Sequence, residues 1–253
     1  MGGSGFNFPV VVLAGGLGKR LRSSVPDAPK ALAPIAGKPF LFYLFRQLSS
    51  SGVSSVILST GYRADQIEAA CGSSCENLKI SYSREIEPLG TAGAIRLAVG
   101  ENDAPQFMVL NGDSYCEFEL KNFLEFHLSN RGEISILLTK VDDTSRYGRI
   151  ETDANGAVKS FIEKSSAGAG SRQGPGWINA GVYLLSKAVI DSIPESRPVS
   201  LEREIFPRWI GRNMFGFKNS GGSFIDIGTP ESFAAAQQLF SGKSTDIEYK
   251  SQR

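Results

Sequence analysis

Short apolar runs alternate with helical segments through the first half of this chain, and that alternation constrains its fold more than any other feature. Val10-Val11-Val12-Leu13 reads as a buried strand, and residues 39–48 as an apolar helix with proline at an early position, where its missing N–H costs little. Residues 55–59 form the next strand, 64–70 a short helix, 78–82 a weaker strand and 91–99 a helix. A strand at 107–110, a helix at 120–130 and a strand at 134–139 continue the pattern. Strands separated by helices pair in parallel and leave helices on both faces. The expected class is α/β: a three-layer α/β/α arrangement with a mostly parallel central sheet. Ligands in such sheets gather at the carboxyl ends of strands. Two turns fall there, the glycine run after Leu13 and Asn111-Gly112-Asp113.

The second half is richer in strands. Residues 149–152 and 158–162 flank Asp153-Ala154-Asn155-Gly156, whose Asn-Gly signals a hairpin. Residues 165–176, rich in Gly and Ser, read as a mobile surface loop. A strand at 178–186, a helix at 201–210 despite Pro207 and a strand at 224–227 follow. Thr229-Pro230-Glu231 opens a last helix with a good N-cap and proline at its first position. The organisation is a flexible leader at 1–8, one domain at 9–240 with halves near 9–115 and 116–240, and a polar tail at 241–253.

The glycine run is Leu13-Ala14-Gly15-Gly16-Leu17-Gly18-Lys19-Arg20-Leu21, followed by Pro29-Lys30. Its glycines let backbone N–H groups approach an anion, and Arg20 and Lys30 add fixed positive charge. That combination suits a polyphosphate with a leaving group. A Walker loop is disfavoured, because Gly18-Lys19 is followed by Arg20 rather than Ser or Thr. A dinucleotide fingerprint is disfavoured too, because Leu21 stands where its third glycine belongs. Asp113 and Asp226 each end a strand-like run, and two such carboxylates can share one Mg²⁺.

Composition narrows the partners. Lys+Arg number 27 and Asp+Glu 26, so no basic excess points to nucleic acid. The longest apolar stretches fall far short of the ~20 residues of a membrane span, and the first residues lack a signal-peptide pattern. Cys71, Cys75 and Cys116 have no metal or disulfide spacing and read as reduced thiols, consistent with a cytoplasmic protein. With His127 the single histidine and no G-x-S-x-G elbow, neither a zinc site nor a serine-histidine triad is expected.

These motifs together resemble the sugar-1-phosphate nucleotidylyltransferases. The likeness begins with Leu13 to Leu21 and Pro29 to Pro39. It continues through Glu87-Pro88-Leu89-Gly90-Thr91-Ala92-Gly93-Ala94, Asn111-Gly112-Asp113, Tyr147-Gly148, Glu163-Lys164, Asn179-Ala180-Gly181 and Asp226-Ile227-Gly228-Thr229-Pro230. They occur in family order from about residue 9 to 240. Within the family the chain looks most like the D-glycero-α-D-manno-heptose 1-phosphate guanylyltransferases, through Glu85 to Thr91, Asn111 to Tyr115, Arg146 to Gly148, Ser200 to Arg203 and Phe224 to Gly228. The resemblance implies a Rossmann-like, glycosyltransferase-A-like fold. It implies an Mg²⁺-dependent enzyme joining GTP and the heptose phosphate into a GDP-heptose and pyrophosphate, for bacterial surface polysaccharide. A homodimer is within that expectation.

The roles it implies are specific. Leu13, Ala14, Gly15, Gly16, Gly18, Asn111 and Gly112 would hold the nucleotide, Arg20 its β- and γ-phosphates and Lys30 the reacting phosphates. Pro88, Leu89, Gly90 and Thr91 would line the base pocket. Asp113 and Asp226 would bind Mg²⁺, with Arg20, Lys30 and Asp113 as the catalytic set. Tyr147, Gly148, Glu163, Asn179, Gly181 and Glu202 would hold the sugar, and Lys164 its phosphate. Lys19 and Ser165 depart from the more usual Thr and Pro. Guanine presents adjacent N1–H and N2–H₂ donors that one carboxylate accepts together, which makes Glu85 or Glu87 the expected base reader. Nucleotidyl transfer to a phosphate needs no general base, so scarcity of histidine does not count against it. The alternatives are a mannose 1-phosphate guanylyltransferase, a glucose 1-phosphate thymidylyl- or uridylyltransferase, and a catalytically silent regulatory subunit. The four charged residues Arg20, Lys30, Asp113 and Asp226 argue against silence. A glycosyltransferase would ordinarily show an Asp-x-Asp motif after an apolar strand.

Overall fold

A computed structural model describes residues 8–22, 24–162, 174–195 and 197–241. The leader apart from Phe8, Glu163, Lys164, most of the Gly/Ser-rich loop and the tail after Ser241 lie outside the described residues. The chain opens with β1 (Val10–Leu13), the glycine run and a 3-10 turn at Lys30–Leu32. Then come β2 (Pro34–Ile35), β3 (Lys38–Pro39), α1 (Phe40–Ser50), β4 (Ser55–Thr60), α2 (Ala64–Cys71), β5 (Ser74–Cys75) and β6 (Leu78–Arg84). Next are α3 (Gly90–Val99), β7 (Gln106–Asn111), β8 (Ser114–Cys116), α4 (Leu120–Ser129) and β9 (Ile134–Val141). The second half supplies β10 (Arg149–Thr152), β11 (Val158–Ile162), β12 (Gly176–Ser186) and α5 (Lys187–Asp191). A π-helical turn at Leu201–Ile205 runs into α6 (Phe206–Trp209), followed by β13 (Met214–Asn219), β14 (Phe224–Asp226) and α7 (Pro230–Ser241).

Among the described residues ten strands form the central sheet, in the order β11-β10-β12-β7-β1-β4-β6-β5, with β9 pairing β12 and β13. The stretch β7-β1-β4-β6 is parallel throughout, as the strand-helix alternation requires. β12 runs against both β7 and β9, and β13 lies parallel to β9, so the sheet is mixed but keeps a mainly parallel sense. Period-two alternation then splits the core between the two faces. Val10, Val12, Met108 and Leu110 face α1, α2, α4 and α7, while Val11, Phe107, Val109 and Tyr183 face α3, α5 and α6. No helix among the described residues is long and apolar enough to cross a membrane.

Three elements depart from the sequence reading. The strand expected at 224–227 stops at Asp226 and leaves the main sheet, pairing with β8 as a two-stranded ribbon. β13 was not foreseen, because Gly216 interrupts its apolar run. A side chain there would meet Leu138 Cδ1 at 2.5 Å, so glycine is what lets β13 lie against β9. The helix expected at 201–210 divides at Phe206, next to Pro207, which has no N–H to donate to the preceding turn.

Candidate active site

A cleft of about 480 Å³ opens at the carboxyl ends of β1, β4, β6 and β7. Backbone bonds fix the glycine run against its neighbours: Ala14 N–H donates to Ser59 O at the end of β4 at 2.7 Å, and Gly112 N–H to Leu13 O at 2.8 Å. The wall contains Leu13, Ala14, Gly15 and Gly16 from the glycine run, and Asn111, Gly112 and Asp113 from the β7 turn, with Lys30 beside them. Glu85, Glu87, Pro88, Gly90 and Thr91 form the opposite lip. Gly18, Arg20 and Leu89 lie outside this wall, with Arg20 exposed on the loop that leaves it.

The lip after β6 is tied by a local bond. Glu85 Oε2 accepts the Leu89 N–H at 2.8 Å, closing the loop on itself. Burial pushes the Glu85 carboxyl up, and the Leu89 N–H offsets part of that. Glu87 and Pro88 are exposed, and Ile86 is 99% exposed at the mouth. Gly90 has φ +72°, and a Cβ there would lie 2.5 Å from Val199 O. That carbonyl accepts the Ala92 N–H at 2.9 Å, so the first turn of α3 is capped by the distant Val199 segment.

Charge concentrates where the ribbon meets the cleft. Asp226 pairs with Ser114 across β14 and β8, and Ile227 N–H donates to Asp113 O at 3.0 Å, which holds the two acidic residues side by side. Lys30 Nζ donates to Asp113 Oδ2 at 2.5 Å and sits 3.6 Å from Asp226 Oδ1. Arg146 Nη2 lies 3.9 Å from Asp226 Oδ2. Burial raises the Asp113 carboxyl, but the Lys30 ammonium and its hydrogen bond outweigh this and hold it below the usual carboxylate range. Two carboxylates already sharing one cation suit Mg²⁺, which takes few protein oxygens and completes its shell from phosphates and water. Among the described residues no cluster of three or more His, Cys, Asp or Glu competes as a metal site. The cysteines are buried, and burial pushes the Cys71 and Cys116 thiols up to about 12, which removes them as nucleophiles.

The residues assigned to the sugar gather on the β10–β12 side. Tyr147 packs edge-on to Phe224 at 5.7 Å, beside the ribbon. Gly148 O accepts the Asn179 N–H at 3.4 Å. Asn179 and Gly181 lie on β12 at a register shift against β9. Glu202 stands apart from the cleft wall, its carboxylate held by Thr91, Ser200 and Tyr183. Glu163 and Lys164 lie outside the described residues.

Sequence reading missed Gly61 and Tyr62, which also line the cleft. Both directly follow β4, and the strand-end rule that located the other two turns would have found them. Tyr62 is flanked by Arg22 and Arg63, with guanidinium carbons 4.9 and 5.4 Å from the ring centre. Nothing in the local sequence announces the pairing of Arg22 with Tyr62 across 40 positions.

The family described as nucleotidyl transferase matches residues 9–241. The chain is 37% identical over 229 residues to the D-glycero-alpha-D-manno-heptose 1-phosphate guanylyltransferase of Aneurinibacillus thermoaerophilus, covering 90% of this chain and 96% of that one. It is 38% identical over 227 residues to the mannose-1-phosphate guanylyltransferase of Mycobacterium tuberculosis, covering 88% of this chain but 62% of that longer protein. The crystal structure of HddC from Yersinia pseudotuberculosis superposes with a TM-score of 0.81 at 40% identity, covering 92% of this chain and 99% of that one. A second structure of HddC is complexed with GMP-PN.

Proposed function

Because this chain belongs to the nucleotidyl transferase family, we propose that it joins GTP to D-glycero-α-D-manno-heptose 1-phosphate, releasing pyrophosphate and forming the GDP-heptose. The observation that carries the reading is the meeting of Lys30, Asp113 and Asp226 at the floor of a glycine-walled cleft. Attack by a sugar-phosphate oxygen on the α-phosphorus needs alignment and charge screening rather than proton removal. In this reading Lys30 draws the reacting phosphates together, and the exposed Arg20 steadies the departing pyrophosphate. Asp113 and Asp226 would hold Mg²⁺, which when bound supplies further screening of the phosphates. Glu85 reads guanine, its carboxylate accepting from N1–H and N2–H₂. Guanine is supported by the names of both guanylyltransferase relatives and by the HddC complex with GMP-PN. The heptose is supported by the Aneurinibacillus relative, whose length the chain nearly spans. Such a product serves surface polysaccharide assembly in the cytoplasm.

The Mycobacterium relative favours mannose 1-phosphate as a second reading. Pyrophosphate release with Mg²⁺, measured for GTP, ATP, CTP, UTP and dTTP against heptose, mannose and glucose 1-phosphates, separates them. Turnover confined to GTP with the heptose phosphate is the expected result. Turnover with another pair replaces the substrate and keeps the mechanism. No release with any pair overturns the enzymatic reading.

A further inference from the structure

A relay of hydrogen bonds joins the base side of the cleft to its sugar side, and it runs through Glu202. Thr91, in the first turn of α3, lines the cleft. Its hydroxyl donates to Glu202 Oε2 at 2.8 Å and accepts the Leu201 N–H at 2.8 Å. Ser200 Oγ donates to the same carboxylate oxygen at 3.1 Å. The other oxygen, Oε1, accepts from Tyr183 OH at 3.5 Å, and Tyr183 OH accepts from Asn179 Nδ2 at 2.8 Å. Asn179 Oδ1 holds the Gly181 N–H at 2.9 Å, at the point where β12 shifts register. Gly181, with φ +77°, packs against the Asn111 amide, whose Oδ1 is buried without a hydrogen-bond partner. Asn111 leads into Gly112-Asp113, so the relay returns to the cleft floor.

The Tyr183 link of this relay is inaccessible to substrate. Tyr183 is fully buried, its ring 5.3 Å from that of Phe206. Glu202 stands on the π-helical turn, a backbone form concentrated at functional sites. Side-chain hydrogen bonds that share partners in a chain hold one another's geometry, so a shift at one end is felt at the other.

We propose that Glu202 and Tyr183 are positioning residues that couple the two substrate sites. A nucleotide that orders Gly90 and Thr91 sets, through them, the Asn179–Gly181 bulge on which the sugar 1-phosphate is received. The proposal rests on the substrate reading above. Coupling of this kind is reciprocal, so each ligand tightens the other by the same factor.

Calorimetric titration tests it with guanosine 5′-(α,β-methylene)triphosphate, which cannot be cut at the reacting bond, and with heptose and mannose 1-phosphates, each alone and together. The wild type is expected to bind either ligand at least about fivefold more tightly when the other is present. Tyr183→Phe keeps the ring and removes one hydroxyl. It is expected to leave each ligand alone within about threefold of wild type and to bring the mutual factor below about two. Glu202→Gln, of nearly equal volume, is expected to lower the same factor. Undiminished coupling in both variants, or no coupling in the wild type, overturns the proposal. So does a loss of single-ligand affinity that tracks the fall in Tm. Failure of the wild type to bind the nucleotide at all instead removes the substrate reading beneath it.

Discussion

Gly90 shows how a single residue ties the lip of the cleft to the rest of the chain. Its φ of +72° is open to glycine at little strain, and Val199 O fills the space a Cβ would need. Gly90→Ala is expected to destabilise the protein by about 2–4 kcal/mol, since it adds left-handed strain to a backbone clash. It should also raise the KM for GTP, because Thr91 and the capped turn of α3 must move with it. An unchanged Tm and KM would show that the lip yields without consequence. Lys30 is the second test at this scale. Lys30→Ala leaves Asp113 and Asp226 facing each other without their shared cation. Loss of such an electrostatic group is expected to lower kcat by about 10²–10³-fold. GTP affinity, measured separately by titration, should fall much less, and a kcat near wild type would remove Lys30 from the chemistry. Both residues were legible as motif members. Their partners were not: Val199 is 109 positions from Gly90, and Asp113 is 83 from Lys30. Local pattern carries no signal for a contact made only when the sheet closes.

Among the elements, α4 carries a testable pH dependence. His127 is buried on the face that docks against the sheet, with Nδ1 2.8 Å from Ser135 Oγ and Nε2 2.9 Å from Gln106 Oε1. Burial pushes its pKa down from 6.5 to about 4, only partly opposed by Glu133. The unfolded chain therefore takes up this proton near 6.5, whereas the folded chain resists it until about 4. Stability is full above the upper value and falls as pH drops through the window, by at most about 1.4 kcal/mol per pH unit. Denaturant titrations of wild type and His127→Gln between those limits should give a slope that the variant lacks. Equal slopes would assign the pH dependence to the carboxylates instead. The helix itself was plain in the sequence, as were β1, β4, β7 and α3, because strong periodicity writes local structure. The β8–β14 ribbon was not, since β8 is three residues long and its register is fixed by β14 more than a hundred positions later. That ribbon is what puts Asp226 beside Asp113, so the acidic pair was visible as residues but not as a place.

For the whole molecule, the parallel half of the sheet was foretold by strand-helix alternation, and the antiparallel placement of β12 was not. Alternation fails there because β10 and β11 form an antiparallel pair and β12 enters between β10 and β7, with no helix between strands to mark a parallel crossover. This asymmetry matters for ligand linkage. The cleft is built from segments around residues 13–17, 30–31, 61–62, 85–94 and 111–113, which only the folded sheet brings together. A nucleotide received in that cleft would engage segments that only the folded state assembles, so its binding favours the folded state. At a hundredfold excess over Kd it should add about 2.7 kcal/mol, raising Tm by roughly 5–10 °C for a chain of this size. The base reading then becomes a comparison of shifts. If Glu85 reads the base as proposed, GTP offers it N1–H and the 2-amino group, ITP keeps only N1–H, and ATP lacks N1–H. Hydrogen bonds to a charged acceptor contribute about 1.5–3 kcal/mol each, so ITP should bind about 10- to 100-fold more weakly than GTP. At a hundredfold excess over the GTP Kd, ITP should keep only about 0.4–1.4 of the 2.7 kcal/mol, so roughly half or more of the shift is lost, and ATP should give less still. Glu85→Gln should bring GTP and ITP together, because the amide oxygen accepts only one of the two donors while its NH₂ opposes the other. Equal shifts for GTP and ITP in the wild type would mean that the base is read elsewhere on the lip. Equal shifts for all three would mean that the cleft recognises the polyphosphate and leaves the choice of base to the sugar-phosphate partner.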